Sequence, residues 1–361
     1  MRVAMVCPYS LSRPGGAQGQ VLGLARSLKR LGHVATVIAP ADPSYPAGSD
    51  VEIVGRATPV RANGSVAPLC LSPAASRRAV DAATGAGVDV VHLHEPLAPL
   101  LGYGFLVGRR RFPLVGTFHR SGESTLYRVA GPLLRPALHR LVVRAAVSEA
   151  ARATAETAIG GTYEVLFNGV ELDRFTEAPP FPTDRPTVLF LGRHEERKGL
   201  GVLLEAFDKV PDPAVLWVSG DGPETADLRR RHPPSERLRW LGVLDDDEVA
   251  SRLAGADVLC APSRHGESFG MVLLEAMAAG AAVVCSDIPG YRAAAAGHAR
   301  LVPPGDPVAL AEALTEALGE AATVGRGGSG ARAARAHAAS WSMDRLAARY
   351  VELYERAAGP A

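Results

Sequence analysis

The chain has 361 residues, 47% of them hydrophobic, with 38 Gly, 28 Pro and a formal net charge of +1. That length exceeds one ordinary core and predicts two domains of roughly 150–180 residues, and the apolar share excludes a disordered chain. Four scattered cysteines (Cys7, Cys70, Cys260 and Cys285) exclude a disulfide scaffold, and the chain has no run of about 18 apolar residues to span a bilayer.

The charge is uneven along the chain. Residues 1–174 carry 19 Lys+Arg against 12 Asp+Glu, and residues 175–361 carry 20 against 26. A basic first half is suited to steer an anionic partner, although Arg-rich surface composition gives the same numbers. Met1-Arg2 leads into Val3–Cys7, too short an apolar run for a signal peptide, so a cytoplasmic protein, at most peripheral on a membrane, is expected.

In chain order, Val3–Cys7 reads as a buried strand. The loop Pro8–Gly16 follows, then a helix with Val21, Leu22, Leu24, Ala25, Leu28 and Leu31 on one face and Gly32 at its end. Val34–Ala39 completes a βαβ unit of a parallel sheet. Val88–Leu93 and Leu114–Phe118 are further strands, and Tyr127–Val143 reads as a helix that Pro132 and Pro136 break or kink. Ala145–Ser148 and Glu164–Phe167 are short strands. Four prolines (179, 180, 182 and 186) mark Glu177–Pro186 as an interdomain linker.

The pattern then restarts with strand Thr187–Leu191, loop Gly192–Lys198, helix Gly199–Phe207 and strand Val215–Ser219. Leu238–Leu241, Val258–Ala261 and Ala282–Cys285 are the later strands, Ala321–Ala339 reads as a mobile loop with a short helix, and Met343–Ala357 as an amphipathic helix. The expected architecture is α/β: an N-terminal doubly wound domain over 1–176, a second over 177–342, and a C-terminal helix, 343–361, packing back on the first. Such sheets bind ligands at the C-terminal ends of their strands, which places a cleft between the two.

The densest chemistry lies between Gly266 and Asp287. Glu267 and Glu275 are seven residues apart, and a Ser268-Phe269-Gly270 step stands where the second glutamate's helix begins. A helix start leaves N–H groups free for an anion or sugar hydroxyls, and a carboxylate accepts from two neighbouring hydroxyls. Gly192-Arg193 and Lys198-Gly199 flank the first loop of the second domain, where two cations can neutralise a diphosphate without metal; a solvated charged turn is the alternative. The run Asp245-Asp246-Asp247-Glu248 is read as a helix cap rather than a metal site. Pro14-Gly15-Gly16-Ala17-Gln18 opens the first helix without the spacing of dinucleotide enzymes. His119 closes a strand, where it can bond a sugar hydroxyl or share in proton traffic; a structural histidine is the alternative. His92 and His94 point the same way on one strand, and no suitably spaced third ligand for zinc accompanies them.

With these motifs in hand, the chain resembles a retaining glycosyltransferase of family 4 with the GT-B fold, two Rossmann-like domains facing a central cleft. Glu267–Glu275 matches that family's two-glutamate motif. Met5-Val6-Cys7-Pro8-Tyr9-Ser10, Pro14-Gly15-Gly16, Asn63-Gly64-Ser65-Val66-Ala67, His94-Glu95-Pro96, Thr117-Phe118-His119, Phe190-Leu191-Gly192-Arg193 and Cys260-Ala261-Pro262 resemble its actinobacterial phosphatidylinositol mannosyltransferase branch. The resemblance implies a nucleotide-sugar donor, GDP-mannose first, with no cofactor or metal required and no nucleic-acid partner. It assigns the diphosphate to Gly16, Arg193 and Lys198, the ribose to Glu275, and the sugar to Glu267 with the backbone at Phe269 and Gly270, beside Met271. His119 is placed near the reacting centre, and the catalytic set is His119, Arg193, Lys198 and Glu267.

For the acceptor, the resemblance implies an inositol phospholipid at the inner face of the plasma membrane, bound by Tyr9, Gln18, Asn63, Ser65 and Arg120. Pro68 and Cys70 stand where that branch has arginines, Arg120 where it has threonine, and Arg77-Arg78 replaces a lysine-rich membrane helix. A UDP-sugar donor with a soluble acceptor, a GT-B nucleotide-sugar epimerase and an inactive sugar-nucleotide-binding module are the alternatives.

Overall fold

A computed structural model describes residues 1–13, 15–62, 65–120, 125–267, 269–325 and 327–359, side chains 61, 62, 65, 66, 125, 126 and 129 excepted. The chain divides into two compact units, Met1–Gly169 with Met343–Ala361, and Val170–Ser342.

The first unit runs β1 (Arg2–Val6), α1 (Gly16–Arg30), β2 (Val34–Pro40), β3 (Val51–Gly55), β4 (Thr58–Ala62), β5 (Ser65–Leu69), α2 (Pro73–Gly85), β6 (Val90–His94), α3 (Tyr103–Val107), β7 (Leu114–Phe118), α4 (Thr125–Leu138), β8 (Leu141–Ala146), α5 (Glu149–Ile159) and β9 (Glu164–Val165). Seven strands form one parallel sheet in the order β3-β2-β1-β6-β7-β8-β9, and β4 and β5 make a separate antiparallel hairpin. Continuous apolar strands such as β1 and β7 are buried because helices cover both faces of a parallel sheet.

The second unit runs α6 (Leu172–Thr176), β10 (Thr187–Leu191), a 3-10 turn (Glu196–Lys198), α7 (Leu200–Phe207), β11 (Val215–Ser219), α8 (Thr225–Arg231), β12 (Leu238–Gly242), α9 (Asp246–Gly255), β13 (Val258–Ala261), α10 (Met271–Ala279), β14 (Ala282–Ser286), α11 (Pro289–Ala295), β15 (Arg300–Val302), α12 (Pro307–Val324) and α13 (Ser329–Ala339). Its parallel sheet has the order β12-β11-β10-β13-β14-β15. Leu189, Trp217, Leu259 and Leu273 fill the core on one face, and Val188, Leu204, Leu216 and Leu314 fill the other.

The chain then returns to the first unit as α14 (Met343–Ala358). Its buried Met343, Leu346, Ala347, Tyr350, Leu353, Tyr354 and Ala357 follow helical spacing and join Val3, Met5, Leu24 and Val37 in one core.

Several boundaries differ from the sequence reading. Val170 and Phe175 belong to the second unit's core, so the chain leaves the first unit after Gly169 rather than at 176. The proline-rich 177–186 stretch is likewise part of the second unit: Phe181 N–H donates to Ser251 O at 2.9 Å, and Arg252 sits 3.4 Å over the Phe181 ring. The helix expected to Val143 ends at Leu138, since Leu141 and Val143 are buried strand residues of β8; Pro132 and Pro136 lie inside it. Residues 321–339 are helical in α12 and α13, apart from the short stretch that divides them. The acidic run caps α9: Glu248 N–H donates to Asp245 Oδ1 at 2.8 Å and Asp245 N–H to Glu248 Oε2 at 3.1 Å.

Candidate functional site

In each sheet the strand order reverses at one place, between β1 and β6 and between β10 and β13. The loops leaving those strands diverge to opposite faces and open a crevice at the carboxyl ends. Lys198 and Glu267 stand at that end of the second sheet, and Tyr9 and His119 at that end of the first.

In the second unit, Gly199 follows the 3-10 turn with φ +71°, and a Cβ there would stand 2.0 Å from Pro262 O. Only glycine lets the β10 loop close on the β13 loop in this way. This contact brings the charges together: Lys198 Nζ lies 2.7 Å and Arg197 Nη1 2.9 Å from Glu267 Oε1. Arg193 Nε is 3.0 Å from Glu195 Oε1, and Arg197 Nε 2.9 Å from Glu195 Oε2. Thus Lys198 and Glu267 meet directly, while Arg193 joins the cluster through Glu195. Sequence reasoning missed Arg197 and Glu195, because within Glu195-Glu196-Arg197-Lys198 only Glu195 turns inward, at 5% exposure. Nothing in four consecutive charged residues marks which one the fold buries.

Gly270 caps α10 with φ +100°, leaving the helix start without a side-chain cap, and a Cβ there would meet the Tyr291 ring at 2.6 Å. Phe269 is buried against Trp341, centroids 4.7 Å apart, so this step offers its backbone rather than its ring. Met271 begins the helix half-buried, and Ser268 lies outside the described residues. Glu275 is half-buried farther along α10. Burial pushes its carboxyl up to about 7, against the pull of Arg174 and with Asp246 and Glu171 adding to the rise. Among the described residues, neither a hydrogen bond nor an ion pair holds that carboxylate.

In the first unit, Gly16 opens α1 after Gly15 without a side-chain cap, so the amides of that first turn are free for an anion. Gln18 is buried, its amide donating to Ser10 O at 3.2 Å and Arg13 O at 3.0 Å, which ties the loop to itself. Asn63 lies outside the described residues, as does the Ser65 side chain. Cys70 is buried, and Pro68 O accepts from Ser10 N–H at 3.0 Å.

Glu95 follows β6 with φ +53°, a backbone setting that non-glycine residues hold only under constraint. The constraint is its buried carboxylate, which accepts from Tyr127 OH, from His119 N–H at 3.1 Å and from the Arg120 N–H. Arg120 Nε is buried without a hydrogen-bond partner among the described residues. Tyr9, Glu95, Arg120 and Tyr127 interact electrostatically, and burial first, then Glu95, hold the Tyr9 hydroxyl well above its ordinary pKa. His119 Nε2 lies 3.0 Å from His94 Nδ1, and burial lowers His119 to about 4, so it is neutral at pH 7. Among the described residues, no group of three His, Cys, Asp or Glu is placed to hold a metal ion.

The chemistry open to the second unit's residues is anion binding by Arg193, Arg197, Lys198 and the start of α10, with hydroxyl recognition by Glu267 and Glu275; in the first unit the start of α1 is open to an anion. Residues 14–174 match the family described as Glycosyltransferase Family 4, and residues 185–320 the family described as Glycosyl transferases group 1. The chain is 42% identical to a phosphatidyl-myo-inositol mannosyltransferase of Mycolicibacterium smegmatis, across 99% of this chain and 95% of that protein. It is 37% identical to one of Propionibacterium freudenreichii, across 81% and 78%. In fold it is similar to sucrose-phosphate synthase from Thermosynechococcus elongatus, with a TM-score of 0.73, 20% identity and 98% of each chain covered. Kinship over nearly the whole chain, joined to two doubly wound domains, places the protein in glycosyltransferase family 4 as an enzyme with the GT-B fold.

Proposed function

We propose that the protein transfers mannose from GDP-mannose to the inositol ring of a phosphatidylinositol-type lipid, with retention at the anomeric carbon. The observation that carries this reading is Arg197 and Lys198 on Glu267, with Arg193 joined through Glu195, at the β10/β13 crevice of a chain 42% identical to a protein named as a phosphatidyl-myo-inositol mannosyltransferase. Cations so placed neutralise a departing diphosphate without metal. Lys198 and Arg193 hold the diphosphate. Glu275 takes the ribose diol, and Glu267 takes the mannose hydroxyls with the Phe269–Gly270 backbone, beside Met271. The acceptor hydroxyl attacks the anomeric carbon from the face that the diphosphate leaves. The bond from that carbon to the phosphate oxygen breaks, the new glycosidic bond forms, and a phosphate oxygen takes the acceptor proton. GDP and the mannosyl lipid result.

Arg120 supports an anionic acceptor, since its buried Nε has no partner among the described residues and a phosphate oxygen can supply one. Tyr9 stands beside it, and Gln18, Asn63 and Ser65 are assigned to the same site. No helix among the described residues is long and apolar enough to cross a membrane, which suits peripheral attachment to an anionic surface. The test is transfer from labelled GDP-mannose and UDP-sugars to phosphatidylinositol liposomes, with free inositol phosphate as a second acceptor. Labelled lipid from GDP-mannose alone is the expected result. Label on inositol phosphate only refutes the lipid acceptor, and free sugar released without any acceptor indicates an epimerase.

A further inference from the structure

We propose that His94 donates its Nδ1–H to His119 Nε2 and so fixes His119 in the tautomer that carries its proton on Nδ1. The assignment begins from the 3.0 Å separation of these two nitrogens, one of which must donate. If His94 carried its proton on Nε2 instead, an N–H would be sealed in the interior without an acceptor, because His94 Nε2 is buried and has no partner among the described residues. With the proton on Nδ1, only a lone pair is left unmatched there. Orphaned buried N–H groups are the rarer of the two defects. In a neutral imidazole the bond made at one nitrogen decides the protonation of the other.

The neighbouring groups hold this arrangement. His92 stacks on His94 with ring centroids 4.0 Å apart, and both nitrogens of His92 are already engaged: Nδ1 with Tyr354 OH at 2.8 Å and Nε2 with Thr117 Oγ1 at 2.7 Å. Thr117 Oγ1 also meets Tyr350 OH at 2.8 Å, so two tyrosines of α14 brace the stack from behind. On the other side, the Glu95 carboxylate anchors the His119 backbone N–H at 3.1 Å. His94 is therefore wedged between a fixed ring and a fixed loop, and burial keeps it neutral.

The consequence rests on the proposed reaction together with the resemblance, which sets His119 near the reacting centre. The nitrogen of His119 not bonded to His94 is then a donor, Nδ1–H. It can give a hydrogen bond to a sugar hydroxyl or a phosphate oxygen, but it has no lone pair with which to take the acceptor's proton. His94 is a positioning residue for that donor.

The test is a long-range proton–nitrogen correlation spectrum of the full-length, unliganded protein labelled with 15N-histidine at pH 7, with His119→Asn and His94→Leu spectra as assignments. Expected are a protonated-type shift at His119 Nδ1 and an unprotonated-type shift at His119 Nε2. The reverse pattern overturns the assignment, and the wild-type spectrum decides it even where a variant fails to fold. In transfer assays, His94→Leu should lower kcat about 10- to 100-fold through misplacement of the His119 ring. Donor Kd should stay within about twofold, as expected when an interaction acts in the transition state. His94→Asn, whose amide nitrogen can take the place of Nδ1, should recover most of the rate. Unchanged kcat in His94→Leu overturns the positioning role. Absence of transfer by the wild-type protein would strike the proposed reaction and leave the tautomer decided by the spectrum.

Discussion

Replacing Glu275 with Gln should separate the stability of the second unit from its affinity for a donor. Burial raises the Glu275 carboxyl from an ordinary 4.5 to about 7, with Arg174 opposing and Asp246 and Glu171 adding to the rise. Below pH 4.5 folded and unfolded states both hold the proton, and the group is neutral in its effect on stability. Between pH 4.5 and 7 the unfolded chain loses its proton first, so stability falls as pH rises, and above 7 the penalty reaches about 3 kcal/mol. Gln has nearly the same shape and helix propensity but never ionises. Glu275→Gln should therefore be about 3 kcal/mol more stable than wild type at pH 8 and indistinguishable from it near pH 4. All three tryptophans, Trp217, Trp240 and Trp341, lie in the second unit, so urea unfolding followed by tryptophan fluorescence reads this unit directly. The same substitution should weaken GDP binding about tenfold or more by removing a charged acceptor for the ribose hydroxyls. Equal urea midpoints at pH 8, or a less stable Gln variant, would refute the reasoning.

Lys198→Ala should lower transfer about 100- to 1,000-fold, the loss typical for one charge-stabilising group. It should leave the fold intact, because Arg197 still holds Glu267 at 2.9 Å; near-normal turnover would remove Lys198 from the mechanism. Gly199→Ala places a Cβ 2.0 Å from Pro262 O at φ +71°, and should cost at least about 2 kcal/mol by urea unfolding together with loss of donor binding. Arg140 Nη1 donates to Phe105 O at 2.6 Å and Leu106 O at 2.8 Å, closing the end of α3. Arg140→Ala should therefore cost about 2 kcal/mol in calorimetry of the first unit, and an unchanged melting profile would show these bonds exchange freely with water.

The α/β architecture is legible because parallel strands buried on both faces leave unbroken apolar runs, such as Val188–Leu191 and Val258–Ala261. The hairpin β4–β5 is not legible: Pro59 and Pro68 face each other in it and erase the alternation that marks a strand. The candidate site is legible where single charged side chains mark it, as with Lys198 and Glu267, which the fold brings into contact. It is not legible where chemistry depends on which neighbour is buried, as with Glu195, or on partners far along the chain. Tyr350 and Tyr354 read as helix-face apolar residues, and their contacts with Thr117 and His92 cross more than 230 positions. The stretch around Phe181 misleads for a related reason: prolines suggest a free linker, whereas an aromatic ring and Arg252 fasten it to the second unit.

The return of α14 also sets the order in which the molecule can be completed on the ribosome. The second unit is one unbroken segment, Val170–Ser342, and can fold as soon as that segment has emerged. The first unit cannot finish until α14 follows, since Met343, Leu346, Tyr350 and Tyr354 cover the face of its sheet and close the bonds around His92. Nascent domains generally fold from the N-terminus onward. Here the earlier-made unit waits for the later one, its sheet face covered by α1 but not yet by α14 throughout the synthesis of the whole second unit, an interval in which apolar surface is open to wrong contacts.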